Sequence, residues 1–129
     1  MRLALSTRTG LALRALRILD GRTSPTSRSD LADALATTSA YLPQVLAPLV
    51  EAGWVESKPG PNGGYLPGRD ARGLSICHLI ETMEVPIVDG ECIFRDGRCE
   101  EADPCVMHVP WSRARAALMT ELEASPAIE

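Results

Sequence analysis

Aromatic side chains are scarce: two Trp, two Tyr and one Phe in 129 residues. The core must therefore be built from Leu, Ala, Val and Ile, and abundance of Ala and Leu favours helix. Long apolar runs are missing too. The longest uncharged run, Ala34 to Val50, carries Pro43, Pro48 and several hydroxyls, so it is not read as a membrane span. Arg8, Arg14 and Arg17 break up the only N-terminal apolar stretch, so no secretory signal is visible and a cytoplasmic protein is expected. No Gly-Lys-Ser or Gly-Lys-Thr sequence opens a helix, and no nucleophile-base pair stands out. Neither a nucleotide cradle nor an enzyme is expected.

A chain of this length, 45% hydrophobic, suits one compact domain with an appended helix or loop that needs a partner. Its net charge of −4 conceals an asymmetry. Residues 1–75 hold nine Lys or Arg against six Asp or Glu, whereas residues 76–129 hold four against eleven. A mildly basic front half can meet a polyanion; an acidic back half stays off it.

Three helices are expected in the front half. Ser6 or Thr7 caps the first, with Leu11, Ala15, Leu16, Ile18 and Leu19 at helical spacing and Asp20-Gly21 as its end. After a polar connector, Arg22 to Arg28, Ser29 caps a second helix from Asp30 to about Leu35. Thr37-Thr38-Ser39 turns the chain, and Ser39 caps a third helix from Ala40 to about Ala52, stopped by Gly53. Two helices joined by a tight polar turn make a helix-turn-helix or an ordinary helical hairpin. Trp54 to Ser57 alternates as a strand, residues 59–64 form a glycine-rich loop, and Tyr65-Leu66 starts the returning strand. Such a hairpin reads as the wing of a winged helix, its bare tip letting the backbone approach phosphates closely. Ser75 then caps a fourth helix over residues 76–83, where Cys77 is a packing residue.

Cys92, Cys99, Cys105 and His108 follow within seventeen residues, separated by six, five and two others. Four soft or borderline donors so close together can hold a metal or an iron-sulfur cluster, and in a reducing compartment that chemistry is expected over structural disulfides. Asp103-Pro104 reads as a cap and a first helical residue, which would set Cys105 and His108 one turn apart on one helical face. Pro110 leaves a start near Val109 open. Met107, Trp111, Ala114, Leu118 and Leu122 recur beyond it on a stripe too narrow to bury itself, so a second subunit is the natural partner.

Tyr41-Leu42 before Gln44-Val45-Leu46, then Leu49 to Val55, then Gly60-Pro61-Asn62-Gly63-Gly64-Tyr65, then Leu74-Ser75-Ile76 and Ile80-Glu81 together resemble the Rrf-type (IscR/NsrR) family of winged-helix regulators. The resemblance implies a mainly α fold: a winged helix-turn-helix DNA-binding domain with a two-stranded wing over residues 1–84, a cluster-binding cysteine loop over 85–108, and a dimerisation helix and tail over 109–129. It implies a DNA-binding repressor that senses redox state, nitric oxide or iron supply. Cys92, Cys99, Cys105 and His108 would hold the cluster, 2Fe-2S in the IscR-like branch, with 4Fe-4S as the alternative. Where the NsrR branch uses an N-terminal acidic ligand, this chain has Arg8. Ser39, Tyr41, Gln44, Lys58, Asn62, Gly63 and Gly64 would contact a roughly palindromic double-stranded operator, read by a homodimer. The wing position that carries a minor-groove arginine in IscR-like proteins is Pro59 here. Competing readings are a structural zinc site, a cluster-free thiol switch and, from another class, a small iron-sulfur electron carrier.

Overall fold

In the computed structural model residues 5–84 and 103–128 are described. The elements run α1 (Thr7–Leu19), α2 (Arg28–Ala34), α3 (Leu42–Glu51), β1 (Val55–Lys58), β2 (Gly64–Pro67), α4 (Ile76–Met83) and α5 (His108–Ala124). This is a mainly helical winged helix-turn-helix, with β1 and β2 paired antiparallel as the wing, Val55 opposite Pro67 and Lys58 opposite Gly64.

Helix α1 is the hub. Ser6 caps it as expected, its Oγ accepting from the Thr9 N–H at 3.2 Å. Leu11, Ala15, Leu16 and Leu19 fall on one face and are buried against α3, α4 and the wing. Leu31, Leu35, Leu42, Val45, Leu46, Leu49 and Leu79 complete the core. Each fully buried Leu stabilises by about 1.5–3 kcal/mol, so aliphatic packing supplies what the few aromatics cannot.

The helix-turn-helix begins earlier and turns differently than expected. Ser27, not Ser29, caps α2; its backbone is extended and its Oγ accepts from the Asp30 N–H at 3.1 Å. At the other end Ala36 takes a left-handed conformation (φ 54°), and the N–H groups of Ala36 and Thr37 reach back to the carbonyls of Asp33 and Ala32. These are the two bonds of a Schellman closure, made here without glycine. Arg14 of α1 adds hydrogen bonds to the carbonyls of Ala34 and Leu35.

Thr38, not Ser39, organises the start of α3. Its Oγ1 accepts from the Tyr41 N–H at 3.1 Å and its carbonyl from the Leu42 N–H at 3.2 Å. Pro43 has no N–H to return to Ser39, so the regular helical ladder starts at Leu42 rather than Ala40. Pro48 sits inside α3, which nevertheless runs on to Glu51. The carbonyl deprived of a partner by Pro48 is that of exposed Gln44, while fully buried Leu46 and Leu49 flank the proline. That packing offsets the roughly 3 kcal/mol an interior proline costs.

Helix α4 is capped by Ser75, whose Oγ accepts from the His78 N–H at 3.1 Å. Trp54, at the root of the wing, meets His78 edge-on with ring centroids 5.2 Å apart. Helix α5 starts at His108, near Val109 and not at Pro104. Pro110 is its third residue, where a backbone donor has no intrahelical partner to lose, and no kink is forced. The chain then folds back: Ile76 donates to the Ser125 carbonyl, Ala127 to that of Leu74, and Arg17 Nε to that of Ala127. Ala127 is fully buried. The last described residues thus belong to the core of the front half.

Candidate functional site

Two surfaces bear on function. The first is formed by the helix-turn-helix and the wing. Ser39 is exposed in the turn before α3, and Gln44 is exposed on the first turn and a half of α3. Tyr41 is half-buried and packs against the core, so its ring is partly committed to the fold. Lys58 is exposed at the end of β1, with its Nζ 3.5 Å from the Glu56 carboxylate. Asn62 is exposed at the wing tip. An exposed pair such as Lys58 and Glu56 is worth about 0–1 kcal/mol, so Lys58 is easily recruited by another anion.

Gly63 and Gly64 are also demanded by packing inside the protein, which the sequence did not show. A Cβ on Gly64 would strike the carbonyl oxygen of Thr26, and one on Gly63 would strike that of Lys58. Gly64 also has φ +145°. Their bareness serves packing inside the protein: Thr26 and Tyr65 exchange two backbone hydrogen bonds, at 3.0 and 2.8 Å, and this bridge staples the wing to the chain entering α2.

A cleft of about 340 Å3 lies between that staple and the wing, with Ser27, Arg28, Ser57, Lys58, Gly60 and Tyr65 among its lining residues. Arg28 escaped the sequence reading because it ends a polar stretch taken for a connector. The available signal was an arginine flanked by serines and without an acidic neighbour, but its approach to Lys58 depends on the Thr26–Tyr65 pairing, which no local pattern shows.

The second surface is the entry to α5. Cys105 is buried and lies in the turn that precedes the helix, and its carbonyl accepts from the His108 N–H at 3.0 Å. The two candidate ligands therefore stand three residues apart in a tight turn, not on one helical face. Cys92 and Cys99 lie outside the described residues. A buried thiol and a half-buried imidazole held in one turn suit a thiolate- and imidazole-ligated centre in donor type. Cys77 behaves as a packing residue: it is buried, and desolvation, reinforced by Glu81 nearby, pushes its thiol pKa up and away from reactivity.

Glu84, unnoticed in the sequence, closes α4 and reaches α1. One carboxylate oxygen accepts from the Thr9 hydroxyl at 2.7 Å and from the Ser6 N–H at 2.8 Å. Those two bonds, the Thr9 hydroxyl first, hold its pKa below the ordinary glutamate range. The chain therefore sets out toward the cysteines from a point anchored on the hub helix.

Comparison with known proteins fits this arrangement. The Rrf2 family model, described as an iron-dependent transcriptional regulator, matches residues 5–125. The HTH-type transcriptional regulator IscR of Klebsiella pneumoniae (strain 342) is 30% identical over 93 residues, covering 72% of this chain and 56% of that relative's length. Among solved structures, CymR, the global cysteine regulator of B. subtilis, aligns with a TM-score of 0.76 at 26% identity over 98% of this chain and 94% of its own. T. potens IscR aligns with a TM-score of 0.72 at 23% identity over 97% and 83%, a likeness of fold.

Proposed function

Since the chain belongs to the Rrf2 family of transcriptional regulators, we propose that it is a homodimeric DNA-binding repressor whose hold on its operator depends on an iron-sulfur cluster, 2Fe-2S rather than 4Fe-4S. It acts in the cytoplasm, and the signal is redox state, nitric oxide or iron supply. Among the described residues no helix is long and apolar enough to cross a membrane.

Ser39, Tyr41 and Gln44 face the major groove, where a glutamine pairs with adenine and hydroxyls hold phosphates. Lys58, Asn62, Gly63 and Gly64 bring the wing to the adjacent backbone. Helix α5 supports dimerisation: none of its residues is buried within the chain, and Val109 and Leu118 are about half exposed. Two copies would set two α3 helices roughly one DNA turn apart on a near-palindromic operator.

Cys92, Cys99, Cys105 and His108 would hold the cluster. When bound, it supplies a redox-active, oxidation-labile iron centre with part of its charge neutralised by thiolates. The observation that carries the reading is the turn from Cys105 to His108. A buried thiol and a half-buried imidazole stand at the head of α5, which supports a link between the proposed cluster and the proposed dimer helix. Order in this turn is thereby linked to the orientation of α5, and α5 packs on α4 next to the DNA-binding half.

The test is anaerobic purification with absorption and electron-resonance spectroscopy on wild type and His108→Ala, joined to binding of genomic DNA fragments before and after demetallation. We expect a coloured protein, an altered spectrum in the variant and at least about a tenfold change in affinity on demetallation, equivalent to about 1.4 kcal/mol. One zinc per colourless chain would replace the sensor with a structural site. Peroxide-dependent mass shifts on Cys92 or Cys99 without any cluster would favour a thiol switch, the reading that similarity to a cysteine regulator supports.

A further inference from the structure

We propose that Arg28 and Lys58 are the two jaws of a clamp for a single DNA backbone phosphate, seated in the cleft between the start of α2 and the wing. The inference rests on the DNA-binding reading and assigns one contact within it. Its ligand is a phosphodiester of double-stranded DNA, recognised by charge and geometry rather than base sequence.

The lining chemistry is that of an anion receptor. Arg28 and Lys58 are its cations, Ser27, Ser57 and Tyr65 are neutral hydroxyl-bearing residues of the lining, and no carboxylate residue lines it. Both cations are exposed, so neither is occupied in holding the core. Arg28 makes no salt bridge among the described residues, and Lys58 pairs only with exposed Glu56, outside the lining. A guanidinium offers two parallel donors to the two unesterified oxygens of a phosphodiester, and an ammonium adds a compact point charge.

The spacing of the jaws is preset by the backbone. Thr26 and Tyr65 exchange hydrogen bonds directly beside the cleft, and Gly64 fits against Thr26 with no room for a side chain. Ser27, next to Thr26, caps α2 and fixes the direction in which the chain presents Arg28. Lys58 is the register partner of Gly64, one residue from Tyr65. The two cations are therefore carried by segments stapled together, so an anion that enters has to order their side chains but not the backbone that carries them.

The clamp is tested on the full-length protein with a fluorescent duplex recovered by wild type from genomic fragments, and with a scrambled duplex of equal length. Affinity is read by anisotropy across salt concentrations from about 50 to 200 mM. Arg28→Gln and Lys58→Gln should each weaken binding to both duplexes by the same factor, because a phosphate contact carries no base information. In the double variant the slope of log K against log salt should fall by about 0.9, the value for one phosphate; two separate contacts would remove about 1.8. Wild-type affinity and slope in either single variant overturn the clamp, as does the larger loss in the double variant. Saturable binding of inorganic phosphate to free protein, abolished by Arg28→Gln while duplex affinity stays unchanged, also overturns it and makes the cleft a small-anion receptor. If wild type retains no duplex, the DNA-binding reading itself fails, a result distinct from all of these.

Discussion

Thr9 is fully buried, and its hydroxyl is shared between Ser6 at 3.0 Å and Glu84 at 2.7 Å. A buried hydroxyl without partners is costly, so this small network of three residues ties the start of α1 to the end of α4. The pH dependence follows from the depressed pKa of Glu84. A carboxylate whose folded pKa lies below its unfolded value contributes stability that is full above the ordinary glutamate range. That contribution disappears as pH falls through the depressed folded value. Glu84→Gln should therefore lower stability at neutral pH, and its deficit relative to wild type should shrink on the acid side, read from denaturant midpoints at several pH values. A deficit independent of pH would show that the charge is not what matters. At Gly64 the constraint is steric. Gly64→Ala should destabilise by about 3 kcal/mol, because the clash is with the Thr26 backbone and not with a side chain that can move. Thermal melting of that variant beside Gly10→Ala, where nothing lies within 4 Å, separates a clash from a general loss of glycine.

At the scale of elements, the caps distinguish what composition implies from what geometry selects. Thr37, Thr38 and Ser39 are three neighbouring hydroxyls, any of which could begin α3 by residue type. Only Thr38 accepts the Tyr41 N–H. Thr38→Ala should cost about 1 kcal/mol in denaturant unfolding, while Ser39→Ala should leave stability within about 0.5 kcal/mol of wild type. On the DNA-binding reading Ser39→Ala should instead weaken operator binding, so the two substitutions separate fold from recognition. Ser6 and Ser75 were legible as caps because each directly precedes an amphipathic run. Ser27 was not, since Ser29 offered the same chemistry two residues later. The end of α2 was harder still, because the left-handed position there is held by Ala36, and no glycine marks it.

For the whole molecule, α5 is the element whose burial a single chain leaves unfinished. Trp111 and Leu122 are half-buried, as is Met119, whereas Leu118, on the edge of the same stripe, is 47% exposed. Ala114 and Leu118, members of the stripe expected to meet a second subunit, are exposed here, and that edge of the helix suits a second copy. Leu118→Glu should convert the proposed dimer to monomer in sedimentation while helical content stays constant; a variant that remains dimeric places the interface elsewhere. The sequence alone determined the order and type of the elements, the wing, the hub helix and the cysteine spacing. Each of these is written in periodicities and caps spanning only a few residues. Only the tertiary structure decided that Glu84 anchors Ser6 from 78 positions away and that Arg17 holds Ala127 from 110 positions away. It likewise decided that Thr26 meets Tyr65 and so brings Arg28 toward Lys58. Such contacts depend on how the packed helices direct the chain, and a pattern read along the sequence cannot express a distance across it.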